Sequence, residues 1–433
     1  MTVKQHRLAP SIRLSHIETD TFKTGILTVT LTLPLTKERF ALGQLLPAIL
    51  RRGTERFPTM ASIHKRLDEL YASVVEIRCH RFGRNLSLSF SAEILDQAYI
   101  PEPMDVLDGV LEMIEELLLH PKTENGAFDS ETVQQEIRFA VDAIRGEINN
   151  TRSFAMIRLM EMMRREEECS PTLEELESLV RQASGASLFE FHREFLSASP
   201  LEIFYVGSIG EEELSKKILS RFGAWRGADT HTLCLPIAEK TAGFLAKTEK
   251  MPVAQGKLAL GFRTGVSAMD GRIHTMILLN ELLGGSPASK LFLEVREKLS
   301  LCYYCSSAYH KNSGILTVSA GIESGNREKA QEAILSQLDA LREGRISDGE
   351  WHAARTSLEN IYRQIYDNPF ELQNFYGNRI LFGLDGTIED SRRLLMAVKK
   401  EEVIALAREI VLDTVFFIEG TKKDADEEDA DDE

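Results

Sequence analysis

Cys302-Tyr-Tyr-Cys305 matches C-x-x-C, the spacing of a redox dithiol or of half a zinc site. It sits in LCYYCSSAYH, a β-like stretch where positions i and i+3 face opposite sides, and no second pair completes a metal site. The ten histidines, His64 and His80 among them, are dispersed, with no i, i+4 pair and no His-x-x-Glu-His. Gly284-Gly285-Ser286 lacks the Lys-Ser/Thr of a phosphate loop and reads as a helix terminus. Gly-x-Ser-x-Gly is absent, so nothing points to a serine hydrolase.

The stretch ALGQLLPAILRRGT, residues 41–54, is apolar and helix-like and closes on a Gly-Thr turn. Where such a wall could carry metal ligands it has Gln44 and Ala48, with Pro47 between them. Alanine has no donor atom, a Gln amide is a poor zinc ligand, and proline cannot activate water. Pro47 also removes a backbone N–H, at ~3 kcal/mol inside a helix, so a helix starting close to Leu42 would tolerate it better.

The elements around these residues repeat. FKTGILTVTLTLPL reads as an alternating strand, VVEIRCH and NLSLSFSAEIL flank Arg81-Phe-Gly-Arg84 as a hairpin, and DVLDGVLEMIEELLLH is an amphipathic helix. A further long helix begins near Phe128-Asp-Ser-Glu131. In the same order, the second half has the strand KLALGFRTG, the apolar helix HTMILLNELLGG and the short helix FLEVREKL. CYYCSSAYH and GILTVSAGI then flank Lys311-Asn-Ser-Gly314, and the helices EKAQEAILSQLDAL and SDGEWHAARTSLENIYRQI follow. Gly53 and Gly83 recur as Gly284 and Gly314, an offset of 231 each time. The chain is therefore expected to be a duplicated α+β protein, joined near GAWRGADTHTLCLPIAEKTAG. The expected divisions are 1–230, 231–420 and an acidic tail, 421–433.

Composition narrows the function classes. The 433 residues are 43% hydrophobic and 27% charged, as in a soluble globular protein. Of the net charge of −16, eight units lie in residues 424–433, a run with nothing to bury and expected to be disordered. The remaining −8 argues against nucleic acid as a partner. No run approaches the ~18 apolar residues of a membrane span, and the N-terminus lacks signal or transit character, so the expected location is cytoplasmic. Five scattered cysteines, an odd count in a large chain, argue against a disulfide framework.

With ALGQLLPAILRRGTERFPT in the first half and LLGGSPASKLFLEVREKLSLCYYCSS in the second, the chain resembles the pitrilysin/insulinase metallopeptidases, the inverzincins, over nearly its whole length except the tail. The resemblance is to short bacterial members without the metal motif, and it implies two α/β-sandwich halves facing a central chamber. Family members carry His-x-x-Glu-His on the first-half helix and a third ligand, a glutamate, on a later helix. Anchored on Gly53-Thr54, the three motif positions hold Gln44, Pro47 and Ala48. In the later helix Glu136 matches a supporting glutamate, while Ala143 fills the ligand position and Asp142 precedes it. No metal or other cofactor is expected.

The family's second half supplies an arginine and a tyrosine, spaced R-x-x-x-x-L-x-Y, that grip the substrate backbone and help stabilise the tetrahedral intermediate. Arg296 and Tyr303 match them, with Ser300 where the family usually has glycine and Leu299 in place of a common arginine. The first-half counterparts are Lys65 and Ala72, so the pair is peculiar to the second half. The resemblance thus implies a non-catalytic subunit of a heteromeric zinc peptidase. It would lend Arg296 and Tyr303 to a His-x-x-Glu-His-bearing partner acting on a peptide, in peptide processing or elongation factor P modification. The competing expectation is a stand-alone peptide-binding or scaffold protein.

Overall fold

Alternating apolar and polar residues build two sheets, and helices cover the apolar faces. A computed structural model describes residues 2–101, 104–238 and 243–421; the acidic run 424–433 lies outside them. The strands are β1 (Lys4–Ala9), β2 (Ile12–Glu18), β3 (Thr24–Pro34), β4 (Val74–Phe82), β5 (Asn85–Leu95) and β6 (Leu201–Gly207), then β7 (Leu245–Met251), β8 (Gly256–Arg263), β9 (Cys302–His310), β10 (Ile315–Ile322) and β11 (Val411–Gly420). They form one sheet of order β1-β2-β6-β3-β5-β4 and another of order β7-β11-β8-β10-β9.

Apart from β1, the sheets match strand for strand. β2 runs parallel to β6, and β6-β3-β5-β4 are successively antiparallel. In the other sheet β7 runs parallel to β11, and β11-β8-β10-β9 are successively antiparallel. This is the duplicated α+β architecture expected from the sequence. Strands β1, β2, β6, β7 and β11 lay outside that reading.

The hairpins show why the repeated glycines matter. Phe82 pairs with Asn85 across a two-residue turn whose first residue, Gly83, has φ +61°. The second hairpin is longer, yet it too closes on a left-handed glycine, Gly314, at φ +64°. An L side chain at either position would strain the turn.

Two compact units result, and neither is a continuous stretch of chain. Unit 1 comprises Met1–Ile144, Pro171–Leu235 and Arg363–Asp385; unit 2 comprises Arg145–Ser170, Pro236–Tyr362 and Gly386–Glu433. Each half thus contributes a helix to the other unit. The helix Thr151–Met163 packs on β8 and β11, and the helix Pro369–Leu381 packs on β6 and β3.

In unit 1 the apolar face of the sheet carries Leu27, Val29, Leu31 and Leu33 of β3 beside Leu86, Leu88 and Phe90 of β5, none more than 1% exposed. The helices Val106–Leu119 and Gly185–Ala198 cover it. Each such side chain contributes ~1.5–3 kcal/mol of burial. Asp105 caps the first of these helices by accepting from the Asp108 N–H at 3.0 Å. In unit 2 the apolar helix Ile273–Asn280 widens into a π-turn, Glu281–Gly285, and a second π-helical segment, Leu291–Lys298, leads into β9.

Candidate functional site

The stretch around Gln44 is not one helix. Helix Lys37–Gly43 starts at Thr36, whose hydroxyl accepts from the Arg39 N–H at 3.1 Å. It closes with three-residue hydrogen bonds, Gln44 N–H to Ala41 O and Leu45 N–H to Leu42 O, both 3.1 Å. A second short helix, Leu46–Leu50, then begins with Pro47 in its first turn, where a missing N–H costs least. Gln44 and Ala48 consequently belong to different helices. Gln44 is exposed and its Nε2 donates to Phe40 O at 3.2 Å, while Pro47 is buried and Ala48 half-buried.

On the helix Ser130–Gly146, Ala143 and Asp142 are both exposed. Glu136 is buried and engaged: Arg52 Nε donates to its Oε1 at 2.8 Å, and Arg52 Nη2 bonds the same oxygen. Sequence reasoning missed Arg52 as its partner, although it stands immediately before Gly53. Gln44, Pro47, Ala48 and Ala143 supply no histidine, thiolate or carboxylate, so these residues do not fit zinc. Among the described residues no group of three or more His, Cys, Asp or Glu side chains could hold a metal ion.

The second set of residues lies in unit 2. Arg296 stands in the last turn of Leu291–Lys298, its guanidinium 4.6 Å from the centre of the Phe292 ring. Among the described residues its one ion pair is loose, Nε to Glu297 Oε1 at 3.6 Å, and its side chain is 39% exposed. Such a guanidinium keeps its donor fork available. Ser300 then turns the chain with φ +49°, a left-handed conformation that favours glycine. That turn leads into β9, the edge strand of its sheet.

Tyr303 sits at an irregularity in β9. Gly321 pairs with Tyr304, but the next residue of β10, Ile322, pairs with Cys302, so Tyr303 is an extra residue in the ladder. It is 57% exposed, and among the described residues its hydroxyl has no hydrogen-bond partner. The same bulge corrects the expectation that Cys302 and Cys305 face opposite sides. An extra residue resets the alternation, and both thiols are buried. The neighbouring Cys305 thiol, and after it Arg296, hold the Cys302 thiol below its usual value against the opposing effect of burial. Cys305 is pushed up by the Cys302 thiol and by burial. Arg152 lies 4.0 Å from the centre of the Tyr304 ring, so the base of β9 is cationic as well as aromatic.

Residues 182–358 match the family described as "Peptidase M16 inactive domain". The chain is 28% identical over 418 residues to the "Probable inactive metalloprotease YmfF" of Bacillus subtilis, covering 94% of this chain and 95% of that protein. It is 26% identical over 238 residues to the "Uncharacterized zinc protease YmxG" of the same organism, covering 54% of this chain and 57% of that protein. Among solved structures, a conserved protein from Enterococcus faecalis superposes with a TM-score of 0.88 at 25% identity, over 98% of this chain and 100% of that one. A peptidase M16 inactive domain from Pseudomonas fluorescens superposes with a TM-score of 0.80 at 15% identity, over 98% and 99% of the two chains, and shows the shared fold.

Proposed function

We propose that this chain, an inactive homologue of the M16 metallopeptidases, is the non-catalytic subunit of a heteromeric zinc peptidase and lends Arg296 and Tyr303 to a zinc-bearing partner. The observation that carries this reading is an asymmetry. The zinc-motif positions hold Gln44, Pro47, Ala48 and Ala143, whereas Arg296 and Tyr303 remain, one loosely paired and the other exposed. A buried structural pair would have its donors committed to the fold.

In this role Arg296 offers several N–H donors to a peptide carbonyl, and the Tyr303 hydroxyl donates to the oxyanion that develops on the oxygen of the scissile carbonyl. The hydrolytic water and its activation belong to the partner. The substrate is a peptide, with peptide processing or elongation factor P modification as the candidate pathways. Five free cysteines and no described helix long and apolar enough to cross a membrane are compatible with a cytoplasmic location.

The test is co-expression with the His-x-x-Glu-His-bearing relative from the same genome, followed by co-purification and peptide-cleavage assays of each chain and of the pair. Association, with cleavage greatly increased in the pair, supports the proposal. A relative fully active alone and unaffected by this chain overturns it. Saturable peptide binding by this chain without any association would instead establish the stand-alone binding reading.

A further inference from the structure

The exchanged helices occupy equivalent places on the two sheets but pack differently. In unit 2 the helix Thr151–Met163 lies tightly on β8. A Cβ at Gly261 would stand 2.1 Å from Met163 Sδ. In unit 1 the helix Pro369–Leu381 instead roofs a cavity of about 740 Å³ over the polar face of the sheet. That volume falls within the range of small-molecule sites, and leaving it unfilled forgoes the packing that unit 2 gains.

The cavity floor is a grid of hydroxyls. β3 supplies Thr28 and Thr30, and β5 supplies Ser87, Ser89 and Ser91. Neighbouring strands place such groups ~4.8 Å apart. Thr28 donates to Ser91 at 3.1 Å. By contrast, Ser89 of β5 and Ser15 of β2, 8% and 5% exposed, carry no side-chain hydrogen bond among the described residues, although both line the cavity. From the roof, Gln373 adds a buried Oε1 without a partner. A buried polar atom left in this condition is uncommon, and here one lines a space that also holds two uncommitted hydroxyls.

The charges around the cavity are already matched. Arg78 Nη2 pairs with Glu76 Oε1 at 2.8 Å, and Glu202 Oε1 accepts from Arg13 Nη1 and bonds His231 Nε2, both at 2.7 Å. Desolvation, and then Arg78, hold the His80 pKa below its usual value. A ligand therefore need bring no net charge. A peptide usually binds by pairing its backbone with a strand edge; the hydroxyl-bearing β3 and β5 are paired on both sides, while β4, whose Glu76, Arg78 and His80 line the cavity, is an edge strand. Besides the hydroxyls and the roof amides, the lining offers apolar surface, including the exposed Phe370 ring.

We infer that this cavity is a binding site for a neutral, polyhydroxylated small molecule, a mono- to trisaccharide or a cyclic polyol. Its hydroxyls would satisfy the floor and roof, and its C–H face would rest on Phe370. This site does not depend on Arg296 or Tyr303, and either reading can fail without the other.

Calorimetric titration and ligand-observed NMR on the full chain would test it, using N-acetylglucosamine, cellobiose, maltotriose and myo-inositol, with acetylated, amidated tetra-alanine as the peptide probe. Asn374→Trp, at an exposed position of the roof, narrows the cavity without touching the sheet. The expected result is saturable binding of at least one of the four probes, weakened tenfold or more in Asn374→Trp at unchanged melting temperature. Should that variant be unstable, Ser89→Ala serves, removing one floor hydroxyl, and is expected to weaken binding several-fold. No saturable binding by any of the four, binding untouched in both variants, or binding of the peptide alone would each overturn the assignment.

Discussion

Arg52, just beyond the short helix Leu46–Leu50 that carries Pro47 and Ala48, is tied to Glu136 of the helix that carries Ala143: Arg52 Nε donates to Glu136 Oε1 at 2.8 Å, and its Nη2 bonds the same oxygen. A glutamate that the family resemblance assigns to metal support is thereby a structural anion. Removing the guanidinium leaves a buried carboxylate short of its charge-assisted bonds, each worth ~1.5–3 kcal/mol. Arg52→Ala should therefore lower stability by about 2–3 kcal/mol in chemical denaturation. The double change Arg52→Met/Glu136→Leu should recover most of the loss, because an apolar pair leaves no charge stranded. A neutral single variant would show that the pair contributes nothing.

The left-handed turn at Ser300 predicts a gain. Ser300 has φ +49°. A left-handed conformation costs an L residue ~1–2 kcal/mol, offset in part by the greater chain entropy of glycine. Ser300→Gly should raise the melting temperature by a few degrees, and Ser300→Val should lower it. The reverse order would show that the turn relaxes freely.

Because Tyr303 is exposed and Arg296 half-exposed, their variants should fold normally, within about 0.5 kcal/mol of wild type. In the reconstituted pair, Arg296→Ala should lower kcat/KM roughly ten- to hundredfold. Tyr303→Phe should depress kcat more than it raises KM. Steady-state cleavage, beside melting curves, checks both. Wild-type rates in the two variants would exclude a catalytic contribution from this chain.

Acid should destabilise unit 1 through His192. Burial pushes its pKa from 6.5 down to about 4, although Nε2 bonds Leu118 O at 2.8 Å. The unfolded chain takes up a proton below pH 6.5 while the folded chain refuses it until about pH 4. Stability present above pH 6.5 is lost across that window, by roughly 3 kcal/mol for this one group. His16 and His80, also lowered chiefly by burial, steepen the same slope. Melting temperatures between pH 7.5 and 4.5 should fall, and less steeply in His192→Gln. A flat profile would contradict the assignment.

Gln44→His with Ala48→His should not yield stoichiometric zinc, because Ala143 leaves the third ligand missing and the chain breaks helix between the two positions. Adding Pro47→Glu and Ala143→Glu restores ligand, base and helical N–H together. Elemental analysis should find about one zinc per chain only in the fourfold variant. Tight zinc in the wild-type chain would refute this reading of the site.

What the sequence determined by itself is whatever depends on local periodicity. The alternation of TVTLTL and NLSLSFS set the strands and their two faces, and Gly83 and Gly314 marked the hairpins. The repeated order of elements announced the duplication, and the residue types at positions 44, 47, 48 and 143 supply no histidine, thiolate or carboxylate. Other features depend on long-range pairing, which no short window records. The bulge at Tyr303 arises from register against β10, and it turned Cys302 and Cys305 to one face although their spacing predicts opposite ones. Arg52 found Glu136 across 84 positions of chain. The exchange of Thr151–Met163 for Pro369–Leu381 was equally hidden, because an amphipathic helix specifies an apolar stripe but not which sheet will cover it. Tertiary packing made that choice, and with it left unit 1 a hydroxyl-lined cavity where in unit 2 Met163 packs against Gly261.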